Sequence, residues 1–69
     1  MRKTAYALRG VALGDVPFEE IVEVDTNILA KDVINYLEKK NNWKIAVCRF
    51  AFPFEVERYF AFHTRQYLI

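Results

Sequence analysis

The chain has 69 residues, 54% hydrophobic and 16% aromatic, with ten Lys and Arg against nine Asp and Glu for a formal charge of +1. This length sets one domain, residues 1–69, of marginal stability unless the core is dense, and a lone cysteine excludes an internal disulfide and points to a reducing, cytoplasmic location. The charge balance gives no general pull toward nucleic acid or an anionic membrane; no stretch approaches the ~18 apolar residues of a membrane span, and the apolar run that opens a signal-like start is cut at Arg9.

"TAYALRG" reads as a first strand, with Tyr6 and Leu8 on one face and Ala5, Ala7 and Arg9 on the other. Gly10, Gly14 and Pro17 punctuate the connection that follows, with a turn expected at Gly14-Asp15. "FEEIVEV" is a second strand, in which Phe18, Val22 and Val24 share a face with Glu20, opposite Ile21, Glu19 and Glu23.

A helix is expected over about 27–40, capped by Asp25, Thr26 or Asn27, whose short side chains accept from free amides. At 100° per residue, Leu29, Ala30, Val33, Ile34, Tyr36 and Leu37 fall on one arc. Lys39 and Lys40 suit the negative helix end, and Asn41-Asn42 offers a left-handed exit.

"WKIAVCRFAF" then reads as a third strand and "VERYFAFHTRQYLI" as a fourth, its last residues extending it or forming a tail, with Pro53 in the turn between them. Pairing Phe52 with Val56 places Cys48, Phe50, Phe52, Phe60 and Phe62 on one face, under the helix, and Ile45, Val47, Arg49 and Tyr59 on the other. Burying four such rings contributes roughly 6–12 kcal/mol at ~1.5–3 each, comparable to the net stability of a small domain, so the run reads as core. The resulting class is α+β: a four-stranded antiparallel sheet with one helix on one face, in the order β-β-α-β-β.

Little in the chain points to catalysis. There is no serine, so a Ser-His-acid triad within one chain is impossible. Cys48 and His63, the only residues of their kinds, fall on opposite faces, which argues against a thiolate–imidazole pair, and together they are too few for a structural zinc site. The two glycines form no phosphate-cradling loop. No enzyme activity, metal or cofactor is expected.

What remains is a surface. The sheet face away from the helix is expected to be bare and to carry Arg9, Glu19, Ile21, Glu23, Ile45, Val47, Arg49 and Tyr59, a mixture suited to protein recognition or to forming a homodimer. "RFAFPF" resembles the aromatic strand motif of RNA-recognition domains, which makes single-stranded nucleic-acid binding the alternative, beside a structural homo-oligomer. At the level of layout the chain also resembles small inhibitor proteins of bacteriophages of the anti-CRISPR type, through "AY" (Ala5, Tyr6), "VEV" closing the second strand and "LAK" (Leu29, Ala30, Lys31) opening the helix. That resemblance implies a non-catalytic protein that blocks a nucleic-acid-handling or defence complex by occupying a surface of it. The acids Glu19, Glu23 and Asp25 are then available to engage Lys or Arg on that partner.

Overall fold

The computed structural model describes residues 2–65. Its elements are β1 (Lys3–Ala12), β2 (Val16–Asp25), α1 (Ala30–Asn41), β3 (Lys44–Phe50) and α2 (Pro53–Phe60). Among the described residues the strands form one antiparallel sheet in the order β2-β1-β3, with β1 central and its two neighbours at the edges.

The β1–β2 hairpin turns through Gly14 and Asp15, both with positive φ (83° and 59°), a conformation open to glycine and tolerated by Asp. Gly10 and Pro17 are not part of that connection, as the sequence suggested, but lie inside the paired strands. Two bonds beyond the ladder ends fix which way each backbone faces. The Thr26 amide donates to the Arg2 carbonyl (3.2 Å) and the Ala51 amide to the Ala5 carbonyl (2.9 Å). By the alternation of an antiparallel ladder, even-numbered residues of β1 bond β2 and odd-numbered ones bond β3.

Beneath α1 lies the core. Tyr6, Leu8, Val22 and Val24 from the sheet meet Val33 and Leu37 of the helix, with Phe18, Ile28, Ala30, Trp43, Ile45 and Cys48 packed around them. The Trp43 ring stacks on Phe18 with centroids 4.3 Å apart. The helix begins later than its sequence implied. Asp25 is drawn into β2 by Lys3, whose Nζ donates to its Oδ1 at 2.9 Å, and the Thr26 hydroxyl accepts from that of Thr4. With two of the three candidate caps, Asp25 and Thr26, held across the strands, Leu29 becomes the N-cap, makes no side-chain bond and is 57% exposed. Asn42 ends the helix in the left-handed region (φ 58°, ψ 42°).

The expected fourth strand is a helix, and the four-stranded sheet with a single helix is corrected to three strands and two helices. Three local preferences favour α2 over a strand. Pro53 sits at the first helical position, where its missing amide costs nothing. The Glu55 carboxylate accepts from the Phe52 amide at 2.9 Å, the glutamate half of a capping box. Arg58 in the last turn suits the negative end of the macrodipole. The aromatic run therefore does not fill the core: Phe50, Phe52, Phe54 and Phe62 are 58–86% exposed. The "TR" of the expected fourth strand follows α2 outside any element, and residues 66–69 of that expectation lie outside the described residues.

Candidate functional site

The sheet face away from α1 is not bare. The α2 helix and the residues after it lie over part of this face, leaving a groove of about 430 Å³ between helix and sheet. Its floor is Ala7, Ile21 and Val47; Arg9, Glu19 and Arg49 rise from the strands, while Phe54, Glu55, Arg58, Tyr59, Phe62 and His63 close it from the helical side. The volume falls within the range of small-ligand clefts, ~300–1,000 Å³.

Six of the eight residues singled out from the sequence line this groove: Arg9, Glu19, Ile21, Val47, Arg49 and Tyr59. Tyr59 arrives from a helix instead of the predicted strand. Glu23 is on the same sheet face but is only 8% exposed, because Arg65 covers it: Nη1 donates to both carboxylate oxygens at 2.8 and 3.0 Å. The Arg65 guanidinium also sits 4.8 Å from the centre of the Phe60 ring. Ile45 is on the other face, against the core, and is corrected. The ladder slips between Arg9 and Gly10, so that Arg9 pairs with Val47 but Gly10 pairs with Ile45, and this bulge reverses the parity of β3 below Val47. Phe54, Arg58, Phe62 and His63 were not singled out as partner-binding residues. The signal for Phe54 and Arg58 was their spacing of four, which puts both on one face of a helix.

One ion pair anchors α2 to the sheet. Arg49 and Glu55 form a bidentate fork, Nη1–Oε1 2.8 Å and Nη2–Oε2 2.9 Å. Hydrogen bonding from Arg49 first, and from the Phe52 amide second, lowers the Glu55 pKa from 4.5 to about 2. A folded-state pKa below the unfolded one contributes stability that is present above the unfolded value and lost as pH falls through the folded one. The expected result is a carboxyl-carbon NMR titration of Glu55 with its midpoint near 2, accompanied by release of α2 between about pH 4.5 and 2. Arg49→Lys, which cannot fork, should move that midpoint up toward 4.5; an ordinary midpoint in the unaltered chain would contradict the anchoring role.

At the β2 edge a second cluster closes the groove. The His63 ring stacks on Tyr59 at 4.1 Å. Burial raises the pKa of the neighbouring Glu20 carboxyl, opposed by the charge of His63. Burial, with the Glu20 charge behind it, also raises that of the Tyr59 phenol, while the Ile21 backbone amide lowers it. Arg58 differs from its neighbours: Arg9 pairs with Glu19 and Arg49 with Glu55, but Arg58 has no carboxylate within ion-pair distance among the described residues; it overlies the Phe54 ring at 5.9 Å, and its charge adds a smaller share to the lowering of the Glu55 pKa. Cys48 packs against the core on the α1 side, where burial raises its pKa, with the helix-side groove and His63 across the sheet. Among the described residues no group of three or more Cys, His, Asp or Glu is placed to hold a metal, and no helix is long and apolar enough to cross a membrane. No protein-family model, no curated protein and no solved structure matches this chain.

Proposed function

We propose that this chain is a non-catalytic protein-binding module that takes a partner into the groove between α2 and the sheet; in its most specific form it is an inhibitor occupying a surface of a nucleic-acid-handling or defence complex. The observation that carries this reading is the trio Phe54, Arg58 and Phe62. The two rings are 58% and 86% exposed, and the guanidinium between them lacks a carboxylate partner among the described residues. Exposed aromatics around an arginine that forms no close ion pair are residue types enriched at protein interfaces. The inhibitor form rests on the layout resemblance, whose last element is here a helix instead of a strand.

Rings beside arginines also suit stacked bases, but the charges favour a protein partner. Glu19, Glu20 and Glu55 line the groove together with Arg9, Arg49 and Arg58, so phosphates would meet as many acids as bases. Arg58, the one of these arginines outside a close ion pair among the described residues, would neutralise about one phosphate, giving a salt slope near −0.7 for single strands, too shallow to hold an RNA.

The test is retention of a partner from a host-cell lysate by the immobilised chain, with Arg58→Glu and Phe54→Ala as variants. Both positions are on the exposed rim, so circular dichroism should stay unchanged while retention falls at least tenfold, about 1.4 kcal/mol. Unchanged retention by both variants, or binding to single-stranded RNA that collapses steeply with salt, would overturn the reading.

A further inference from the structure

Six Arg and Glu side chains line the groove, and close pairing cancels four of them. Arg9 Nε lies 3.2 Å from Glu19 Oε1, and Arg49 forks onto Glu55. Of the remaining two, Glu20 stands on β2, where the charge acting on it is that of His63. Arg58, on α2, keeps a guanidinium with no carboxylate at ion-pair distance among the described residues. The balance of the helical wall is therefore positive at one place.

That place is built in advance. The Phe52 and Phe54 rings stack at 5.7 Å with only 10° between their planes. The Arg49 guanidinium lies 5.8 Å from the centre of Phe52, and that of Arg58 lies 5.9 Å from the centre of Phe54. This row of contacts begins at Arg49, already committed to Glu55, and ends at Arg58, which is not. Side chains ordered before a ligand arrives have less freedom to lose when it binds. Below them, Ala7, Ile21 and Val47 supply an apolar floor.

We propose that the partner segment entering this groove presents a carboxylate side chain next to a large apolar one, with the carboxylate on the Arg58 guanidinium and the apolar group on the floor beside Phe54. The inference rests on the groove being the partner site, and it names the chemistry that site selects. Each half of the occupant needs the other. A carboxylate held by one exposed arginine gains little in water. With a hydrocarbon seated beside it, water is displaced from around the guanidinium, and the charge-assisted bond forms in less polar surroundings, where it is stronger. An ammonium group in the same position meets like charge.

Hydrocinnamate serves as the probe, since it carries a carboxylate and a benzyl group in one small molecule. Titrated into the whole chain and followed by amide NMR shifts, it should perturb Ala7, Ile21, Val47, Phe54 and Arg58. The dissociation constant should be on the order of 1–10 mM, the modest affinity of a small ligand in an open groove. Hydrocinnamamide, similar in shape but neutral, should bind at least about fivefold more weakly, and phenethylammonium at least about tenfold. Arg58→Gln should leave circular dichroism unchanged and bind acid and amide alike. Lys40→Gln, on α1 across the sheet, should keep the preference of the unaltered chain.

Equal binding of acid and amide by the unaltered chain, tighter binding of the ammonium, or a preference that survives Arg58→Gln would each overturn the inference. So would the absence of shifts at the groove amides at about 20 mM probe, a concentration above the expected dissociation constant. The lysate experiment separates this failure from that of the reading beneath it. A partner retained through Arg58 and Phe54 by a chain indifferent to hydrocinnamate removes only the present inference, whereas acid selectivity with retention unchanged in both variants removes the reading.

Discussion

Leu8→Ala is expected to unfold this domain at or near room temperature. Leu8 is 1% exposed at the middle of the central strand, opposite Glu20 on one side and Cys48 on the other, and α1 closes over it. Truncating such a side chain removes its transfer energy and leaves a cavity, together about 2–5 kcal/mol. Domains have roughly 0.05–0.15 kcal/mol per residue of net stability, so a chain this short has on the order of 3–10 kcal/mol to lose. The core cannot redistribute the loss, because only six apolar side chains are buried among the described residues. Thermal unfolding followed by circular dichroism should show the midpoint falling by about 8–40 °C, at ~4–8 °C per kcal/mol for this size. A fall of only a few degrees would mean that the core lies elsewhere.

Gly10→Ala is expected to be nearly as severe, although it adds a single methyl group. At the bulge β3 runs so close to β1 that a Cβ on Gly10 would overlap the Lys44 carbonyl oxygen and come within 2.9 Å of the Ile45 Cα. Both obstacles are backbone, so no rotamer change relieves them. Either the strand moves away, breaking the pairing of Gly10 with Ile45 and Val11 with Lys44, or the bulge reorganises. Overpacking of this kind costs typically 1–3 kcal/mol and more against rigid backbone. The displacement also strains the Ile45 amide, which donates to Glu38 of α1 at 2.9 Å and ties β3 to the helix. Urea denaturation should give a loss of about 3 kcal/mol, with amide shift changes concentrated at residues 43–47. Gly14→Ala makes the contrast: its Cβ would meet nothing within 4 Å, so only the positive φ opposes it.

The N-terminal part of this architecture is legible in the sequence because one rule governs it. Alternation in β1 and β2 assigns Tyr6, Leu8, Val22 and Val24 to one face and Ala7, Arg9, Glu19 and Ile21 to the other, as the structure has them. The helical arc likewise finds Val33 and Leu37, though Tyr36 and Leu29 at its margin are exposed. Two events escaped that rule. The bulge at Ala46 has no mark of its own on β3; its signature is Gly10 on the facing strand, the residue that permits the close approach.

The second is "FAFPFEVERYFAF", where two periods compete. Phe50, Phe52 and Phe54 alternate like a strand, while Val56, Tyr59 and Phe60 recur like a helix, and Pro53 with Glu55 two residues later decides for the helix. Reading Pro53 as a hairpin breaker sent the benzyl groups into the core, when the cap sends them outward. The candidate site followed from that one element. Most of the groove floor was readable from strand parity, but its helical wall was not, because no single side chain there signals a groove until α2 is known to cross the sheet.

The stacking of Trp43 on Phe18 has a practical consequence for how the molecule will be watched. The single indole belongs to the α1 end of the sheet, and the α2 layer meets the opposite face. Its fluorescence therefore reports the melting of the main body and is silent while the short helix comes and goes, so an emission trace that looks all-or-none is compatible with a lid that opens long before.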